Sequence, residues 1–382
     1  MKKKSPGFKT RALFFHTHRP PPIFLPVLCI PGLIYQAGVY LRNRAFDAGF
    51  IPARSLMRPV VSVGNLTLGG TGKTPFVIYL AGLIKEMGCE TAVLTRGYGR
   101  RESEKTVVLP PGENDGFSAS LIGDEPALMR RHLPEAWLGI SSNRVCAANA
   151  IARRCGRTDR MVFILDDGFQ RRGIRRDLDI VMIDPTLPPD KERLFPMGGL
   201  REPAAELRRA RIIVINGAGS SGALETRSAN VETIMKTLRK YAPDAEYFHC
   251  VQRIQTIVPF YAWLDSGTQN NLAERPGTAF LVAAIGNPDR FRQDIINIGI
   301  ETPGCAFFRD HAEISKNDWE ICVKAARDAK AEAIIITEKD AVKISSQPDY
   351  PLLVAVQNTE LVEAASFREI LQRCVQVSPN CL

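Results

Sequence analysis

The residues of this chain with the types and spacing for chemistry stand at the ends of apolar runs. Gly69-Gly70-Thr71-Gly72-Lys73-Thr74 follows the apolar run Val60 to Val63 and opens a helical run, Pro75 to Met87. Glycines let a backbone turn tightly enough for successive N–H groups to converge on an anion. A helix starting at the same place adds the positive end of its dipole. In such a loop Lys73 reaches the β- and γ-phosphates and the Thr74 hydroxyl meets Mg²⁺. The pattern implies a bound nucleoside triphosphate. Thr67 stands where the strict motif has its first glycine, so the loop is a variant and does not by itself choose among nucleotide-binding families.

Other candidates follow the same logic. Asp166-Asp167 comes directly after Met161-Val162-Phe163-Ile164-Leu165. Acids at a strand end beside a phosphate loop hold Mg²⁺ or its water shell, against the blander reading of a cap or a salt bridge. Gly123-Asp124-Glu125-Pro126 puts two carboxylates at a helix start, where capping accounts for one. Asp310-His311 follows the strand-like Cys305 to Phe308, and a histidine beside an acid at a strand end is a general-base candidate. Arg96 to Arg100, Arg201-Glu202-Pro203 and Arg171, Arg172, Arg175 and Arg176 are basic groups whose forked guanidinium suits phosphate. The 171–176 run is expected at the surface.

Holding these groups in place requires a scaffold whose strands end together. Strand-like runs at Val60–Val63, Thr91–Thr95, Met161–Leu165, Leu178–Ile183 and Ile212–Ile215 alternate with helical runs at Glu125–His132 and Asn143–Arg154. That alternation predicts a parallel, doubly wound α/β sheet of the phosphate-loop NTPase type. The pattern weakens over 217–277 and resumes with strands at Ala279–Ile285, Cys305–Phe308, Ala333–Thr337 and Leu352–Val356. Helices are expected at Pro288–Ile298, Asn317–Lys330 and Leu361–Arg373, giving a second, smaller α/β domain. The division reads as a basic leader and membrane-associating helix (1–50), a phosphate-loop domain (51–245) and the smaller domain (246–382). The smaller domain supplies His311, and its last helix packs back on the first. Ligands gather at the carboxyl ends of such strands, so chemistry is expected in a cleft between the domains.

Composition sets limits. The 382 residues are 45% hydrophobic and 24% charged, ordinary for a globular chain, with a formal charge of +9 that favours anionic partners. No zinc-finger or RNA-binding aromatic motif is present, which argues against nucleic acid. Nine scattered cysteines without a C-x-x-C pair exclude a disulfide framework and a clustered zinc site, and fit a reducing compartment. Lys2, Lys3, Lys4, Arg11 and Arg19 precede the uncharged stretch Ile23 to Leu41. That stretch has the length of a span, but Pro26, Pro31, Gly32, Gln36 and Gly38 interrupt it. A monotopic helix on anionic headgroups is expected, the alternative being a buried core helix.

Taken in order, the motifs resemble one family. They are Asn65-Leu66-Thr67-Leu68-Gly69-Gly70-Thr71-Gly72-Lys73-Thr74-Pro75, Arg96-Gly97-Tyr98-Gly99, Gly123-Asp124-Glu125-Pro126 and Asp166-Asp167-Gly168-Phe169-Gln170. Leu200-Arg201-Glu202-Pro203, Gly286-Asn287-Pro288, Asp310-His311 and Thr337-Glu338-Lys339-Asp340-Ala341-Val342-Lys343 follow. The set is similar to that of the tetraacyldisaccharide 4′-kinases of Gram-negative bacteria. The resemblance implies ATP- and Mg²⁺-dependent phosphorylation of the 4′-hydroxyl of a lipid A disaccharide 1-phosphate at the cytoplasmic face of the inner membrane. No nucleic acid and no obligate protein partner are implied. It implies that Asp124 and His311 form a base dyad, that Lys73 and residues 69–74 hold the nucleotide, and that Thr74, Glu125, Asp166 and Asp167 hold the metal. Asn65, Arg96, Tyr98, Gln170, Arg201 and Glu202 become candidates for substrate contact. One departure is Ala312, where the family often carries a second histidine. The competing reading, a membrane-positioning ATPase with a deviant phosphate loop, requires lysine where this chain has Leu68. A GTP-driven metallochaperone requires clustered cysteine or histidine, which is lacking.

Overall fold

The computed structural model describes residues 25–376 except 101, 103, 114–118, 157–158, 218–223, 266–274 and 345–346. Helix α1 (Leu25–Asp47) leads to β1 (Val60–Gly64) and α2 (Lys73–Glu86). β2 (Glu90–Thr95), β3 (Val107–Leu109), α3 (Ala119–Ile122), α4 (Asp124–His132), β4 (Trp137–Ile140) and α5 (Arg144–Cys155) follow. Next come β5 (Met161–Asp166), β6 (Leu178–Ile183), β7 (Ile212–Asn216), α6 (Leu224–Arg239), β8 (Glu246–Pro259) and α7 (Phe260–Leu264). The chain ends with β9 (Thr278–Ala283), α8 (Pro288–Asn297), β10 (Glu301–Phe307), α9 (Lys316–Asp328), β11 (Ala333–Thr337), α10 (Glu338–Ala341), β12 (Leu352–Leu361) and α11 (Ala364–Gln376).

Two compact units emerge. The larger holds residues 30–195, 199–253 and 358–376, and the smaller is built on 254–357. In the larger unit the strand order is β8-β7-β6-β1-β5-β2-β4-β3. Every pair is parallel except β3 with β4. Central β1 is buried along its whole length, which is why valines hold three of its five positions. Val61 and Val63 pack into a core with Phe76, Leu80 and Ile84 of α2 and Phe367 and Leu371 of α11. Val60 enters a separate core with Ala147 and Ile151 of α5. Alternate side chains thus feed opposite faces of a doubly wound sheet.

The smaller unit has its own parallel strands in the order β10-β9-β11-β12. Phe280, Val282, Ile334 and Ile336 pack with Trp319 and Cys322 of α9, while Leu281, Ala283 and Ile335 pack with Phe291 and Ile295 of α8.

Most expected elements are present within a residue or two. The tail differs: β12 continues to Leu361, and the last helix begins at Ala364 rather than at Leu361. Thr359 and Leu361 are buried while Asn358 and Glu360 are exposed, so the extension is a half-buried strand of period two that a polar composition disguises. Helix α1 runs unbroken through Pro31. No described helix is long and apolar enough to cross a membrane. Val27, Ile30, Leu33, Ile34 and Leu41 on α1 are exposed. The basic leader lies outside the described residues, as does most of the Gly217–Gly222 stretch.

Candidate active site

The phosphate loop connects β1 to α2 and is tied down from outside. The Leu68 N–H donates to the Gly199 carbonyl at 2.6 Å, and the Arg201 N–H donates to the Leu66 carbonyl at 2.8 Å. This ladder carries Arg201 to the loop, although the two are far apart in sequence. Within the loop the Asn65 amide donates to the Thr67 carbonyl at 2.8 Å and accepts from Lys73 Nζ at 3.1 Å. The Gln170 amide donates to the Asn65 carbonyl at 2.8 Å. Asn65 is buried and Gln170 half-buried, so both shape the loop from within.

Lys73 Nζ also stands 3.5 Å from Asp167 Oδ1. Arg201 reaches both oxygens of that carboxylate, at 2.8 and 2.7 Å. Burial raises the Asp167 pKa, but Lys73 and Arg201 outweigh it and hold the carboxyl down at about 2. Its neighbour behaves in the opposite way. Asp166 ends β5, buried, accepting from the Thr95 hydroxyl at 2.8 Å. Burial, then Glu125 and Asp167, push its pKa up to about 7, against Thr95 and Lys73. Burial thus raises both adjacent carboxyls, and the two differ because Lys73 and Arg201 outweigh it at Asp167, whereas Glu125 and Asp167 add to it at Asp166. Asp167 adopts the left-handed region, with φ 52°, as the chain turns out of β5.

Glu125 acts on Asp166 because two glycine motifs interlock. Gly123 caps α4 with φ 98°, and a side chain there would lie 2.9 Å from the Tyr98 carbonyl. The Arg96–Gly99 turn can approach the start of α4 only because Gly123 lacks a side chain. Arg96 and Tyr98 are exposed beside it. Arg144 was not singled out by its motif, yet it belongs here. It starts α5 almost fully buried, and burial, then Arg171, lower its pKa to about 10 while Asp166 and Asp167 oppose them. Its sequence signal is one position: a basic residue following an Asn cap directly after a strand.

Glu202 is fully buried, paired with Arg42 of α1 and with Arg209. Burial raises its pKa, and the two arginines oppose the rise. That position gives it a bracing role. The arginine run expected at the surface needs correction: Arg175 is exposed, but Arg172 donates to the Asn43 carbonyl and to Asp47, and Arg176 pairs with Asp179 at 3.3 Å. Neighbouring acids and carbonyls, absent from the local pattern, draw both inward.

In the smaller unit the Thr337–Lys343 segment builds a platform. The Thr337 hydroxyl caps α10 and donates to Asp340 at 2.7 Å, and Asp340 accepts from the Ala284 N–H at 3.2 Å. Lys343 joins Asp340 at 2.9 Å to the Ala312 carbonyl at 3.1 Å. Glu338 accepts from Trp263 at 3.2 Å. Lys339 Nζ lies 3.0 Å from Asp310 Oδ1 and 3.2 Å from His311 Nε2. His311 has φ 63°. Burial opposes ionisation of Asp310, yet Lys339 and His311 together hold its pKa below the usual range.

The residues present fit a nucleotide with a hard cation. Gly70 has open space where a side chain would begin, and the buried Thr71 hydroxyl has no hydrogen-bond partner. Thr74, Glu125, Asp166 and Asp167 carry oxygen atoms of the kind magnesium prefers. Among the described residues no group of three or more histidine, cysteine or acidic side chains forms an all-protein metal cage. Magnesium ordinarily needs only one or two carboxylates beside phosphate oxygens and water.

Comparison with known proteins places the chain in a family. A protein of Syntrophus aciditrophicus named tetraacyldisaccharide 4′-kinase is 35% identical over 84% of this chain and 85% of its own length. One of the same name from Geobacter metallireducens is 34% identical over 84% of this chain and 89% of its own. The crystal structure of an "apo" form LpxK from Aquifex aeolicus in complex with ATP is 28% identical. It superposes with a TM-score of 0.70, covering 92% of this chain and 99% of that one. The family model described as tetraacyldisaccharide-1-P 4′-kinase matches residues 24–376, and the chain belongs to that family.

Proposed function

We propose that this chain transfers the γ-phosphoryl group of ATP to the 4′-hydroxyl of a tetraacyldisaccharide 1-phosphate, a step of lipid A biosynthesis. Membership of the family makes it an ATP-dependent kinase. The observation that carries the reading is the braced loop: Lys73 is held between Asn65 and Asp167, and Arg201 holds the same carboxylate. In phosphoryl transfer the protein mostly positions groups and offsets charge. Lys73 supplies a fixed cation at the β/γ-phosphates. Asp167 keeps that cation aimed instead of letting it collapse onto backbone. Thr74, Glu125, Asp166 and Asp167 would hold magnesium, which offsets charge on the transferring phosphate oxygens.

A sugar hydroxyl is a poor nucleophile until its proton can leave. His311 takes that proton, and Asp124 orients the imidazole. Within the smaller unit Lys339 and Asp310 hold the ring through Nε2. Arg96, Tyr98 and Arg201 contact the substrate, while Asn65 and Gln170 shape the phosphate loop and Glu202 braces Arg42 and Arg209. The exposed apolar residues of α1 support a monotopic seat on the cytoplasmic face of the inner membrane, with basic residues on anionic headgroups.

The test is transfer of radiolabelled γ-phosphate from ATP to a tetraacyldisaccharide 1-phosphate in detergent, by wild type and His311→Ala. Labelled lipid from wild type, reduced about 10²- to 10⁴-fold in the variant, is the expected result for a general base. Equal labelling by both would remove His311 as the base. ATP hydrolysis without lipid labelling would overturn the kinase reading.

A further inference from the structure

Two residues outside every motif, Asn216 and Gln252, grip the phosphate loop from behind. Asn216 ends β7 and Gln252 sits midway along β8; they are 1% and 6% exposed. The Asn216 amide nitrogen donates to the Thr71 carbonyl at 3.0 Å and to Gln252 Oε1 at 3.1 Å. The Gln252 nitrogen donates to the Gly72 carbonyl at 2.8 Å. The orientation of both amides is dictated by these partners. Turning either one over would set an amide oxygen against a carbonyl oxygen.

The arrangement answers a requirement of any loop that binds phosphate through its backbone. When successive N–H groups converge on an anion, the carbonyls between them point outward. Buried outward carbonyls need donors. Here side chains of two neighbouring strands provide them. The same contact constrains the sequence. Gly72 has φ 81°, and a side chain there would collide with both amides. The glycine before Lys73 is thus fixed by backbone conformation and by packing together.

We propose that Asn216 and Gln252 are positioning residues of the nucleotide site. They hold the Thr71 and Gly72 carbonyls outward so that the loop N–H groups and Lys73 face the polyphosphate. This rests on the reading that the loop binds ATP.

The test uses the full-length chain with Gln252→Met, which keeps volume and removes the donor, and Asn216→Asp, which keeps shape and reverses polarity. Three quantities are read on folded protein: affinity for a fluorescent ATP analogue without lipid, KM for ATP, and KM for the disaccharide lipid. Loss of the side-chain donor, which leaves the Gly72 carbonyl with only the Phe76 N–H at 3.3 Å in one variant and sets a carboxylate against the Thr71 carbonyl in the other, predicts that affinity for the analogue falls about tenfold and KM for ATP rises about tenfold in each variant. KM for lipid stays within about twofold of wild type, a split that general loss of stability does not produce. Unchanged analogue affinity in both variants would overturn the proposal. If wild type binds the analogue but labels no lipid, the kinase reading fails while the binding comparison still decides this one. If wild type binds no analogue, the positioning role falls with the loop reading.

Discussion

At the scale of single residues, the proposed chemistry rests on cations held beside particular carboxylates. Lys339 contacts both Asp310 and His311, so Lys339→Met is expected to slow lipid phosphorylation about tenfold or more through a misplaced base. KM for ATP should change by less than about twofold, because the nucleotide loop belongs to the other unit. Steady-state kinetics in both substrates would check the split. Asp310 gives a pH signature. Folding lowers its pKa, so its stabilising contribution is complete above the unfolded carboxylate value near ~3.9 and disappears as pH falls through the depressed folded value. Thermal unfolding of wild type and Asp310→Asn should therefore differ at neutral pH and converge in acid. A difference that grew on acidification would contradict the pairing with Lys339.

At the scale of elements, helices α2 and α11 share one core although their sequences lie at opposite ends of the chain. Phe367 of α11 meets Phe76 edge-on at 6.0 Å and Phe248 of β8 at 5.3 Å. Its ring is fully buried, so Phe367→Ala should cost about 3–5 kcal/mol of stability, measurable by denaturant unfolding. A loss below about 1 kcal/mol would mean that α11 does not pack as described. Helix α1 is the opposite case. Val27, Ile30, Leu33, Ile34 and Leu41 are exposed on it, while Tyr35 donates to the Arg201 carbonyl at 2.8 Å and Arg42 pairs with Glu202. Replacing Ile30, Leu33 and Ile34 together by Glu should abolish flotation with anionic vesicles and leave the melting temperature within about 2 °C, as for surface changes. Retained flotation would assign membrane binding elsewhere.

At the scale of the whole molecule, each unit has its own cores, and no described cluster of metal-ligating side chains joins either fold. In the proposed mechanism magnesium serves the reaction and not the architecture. Chelation with EDTA should stop phosphate transfer completely and shift the nucleotide-free melting temperature by less than about 1 °C, because only a metal bound to the native state stabilises it. Excess magnesium should restore transfer. A large loss of stability on chelation would indicate a structural metal.

The sequence by itself determined a great deal: the parallel strands, the phosphate loop, the acids at the end of β5 and the resemblance to a kinase family. These are legible because backbone geometry is local. A turn needs glycine, a buried parallel strand needs an unbroken apolar run, and a cap needs a short polar side chain. The polar half of β12 is not legible in the sequence, because its alternation carries few apolar residues. Tertiary structure alone decided what each polar side chain does. It made Asp167 strongly acidic and Asp166 weakly so, turned Glu202 into a brace, drew Arg172 and Arg176 inward, and brought Arg144, Asn216 and Gln252 to the site. The reason is physical. Charge state and hydrogen bonding depend on burial and on neighbours within a few ångströms, and in this fold those neighbours come from strands and loops far apart in the chain.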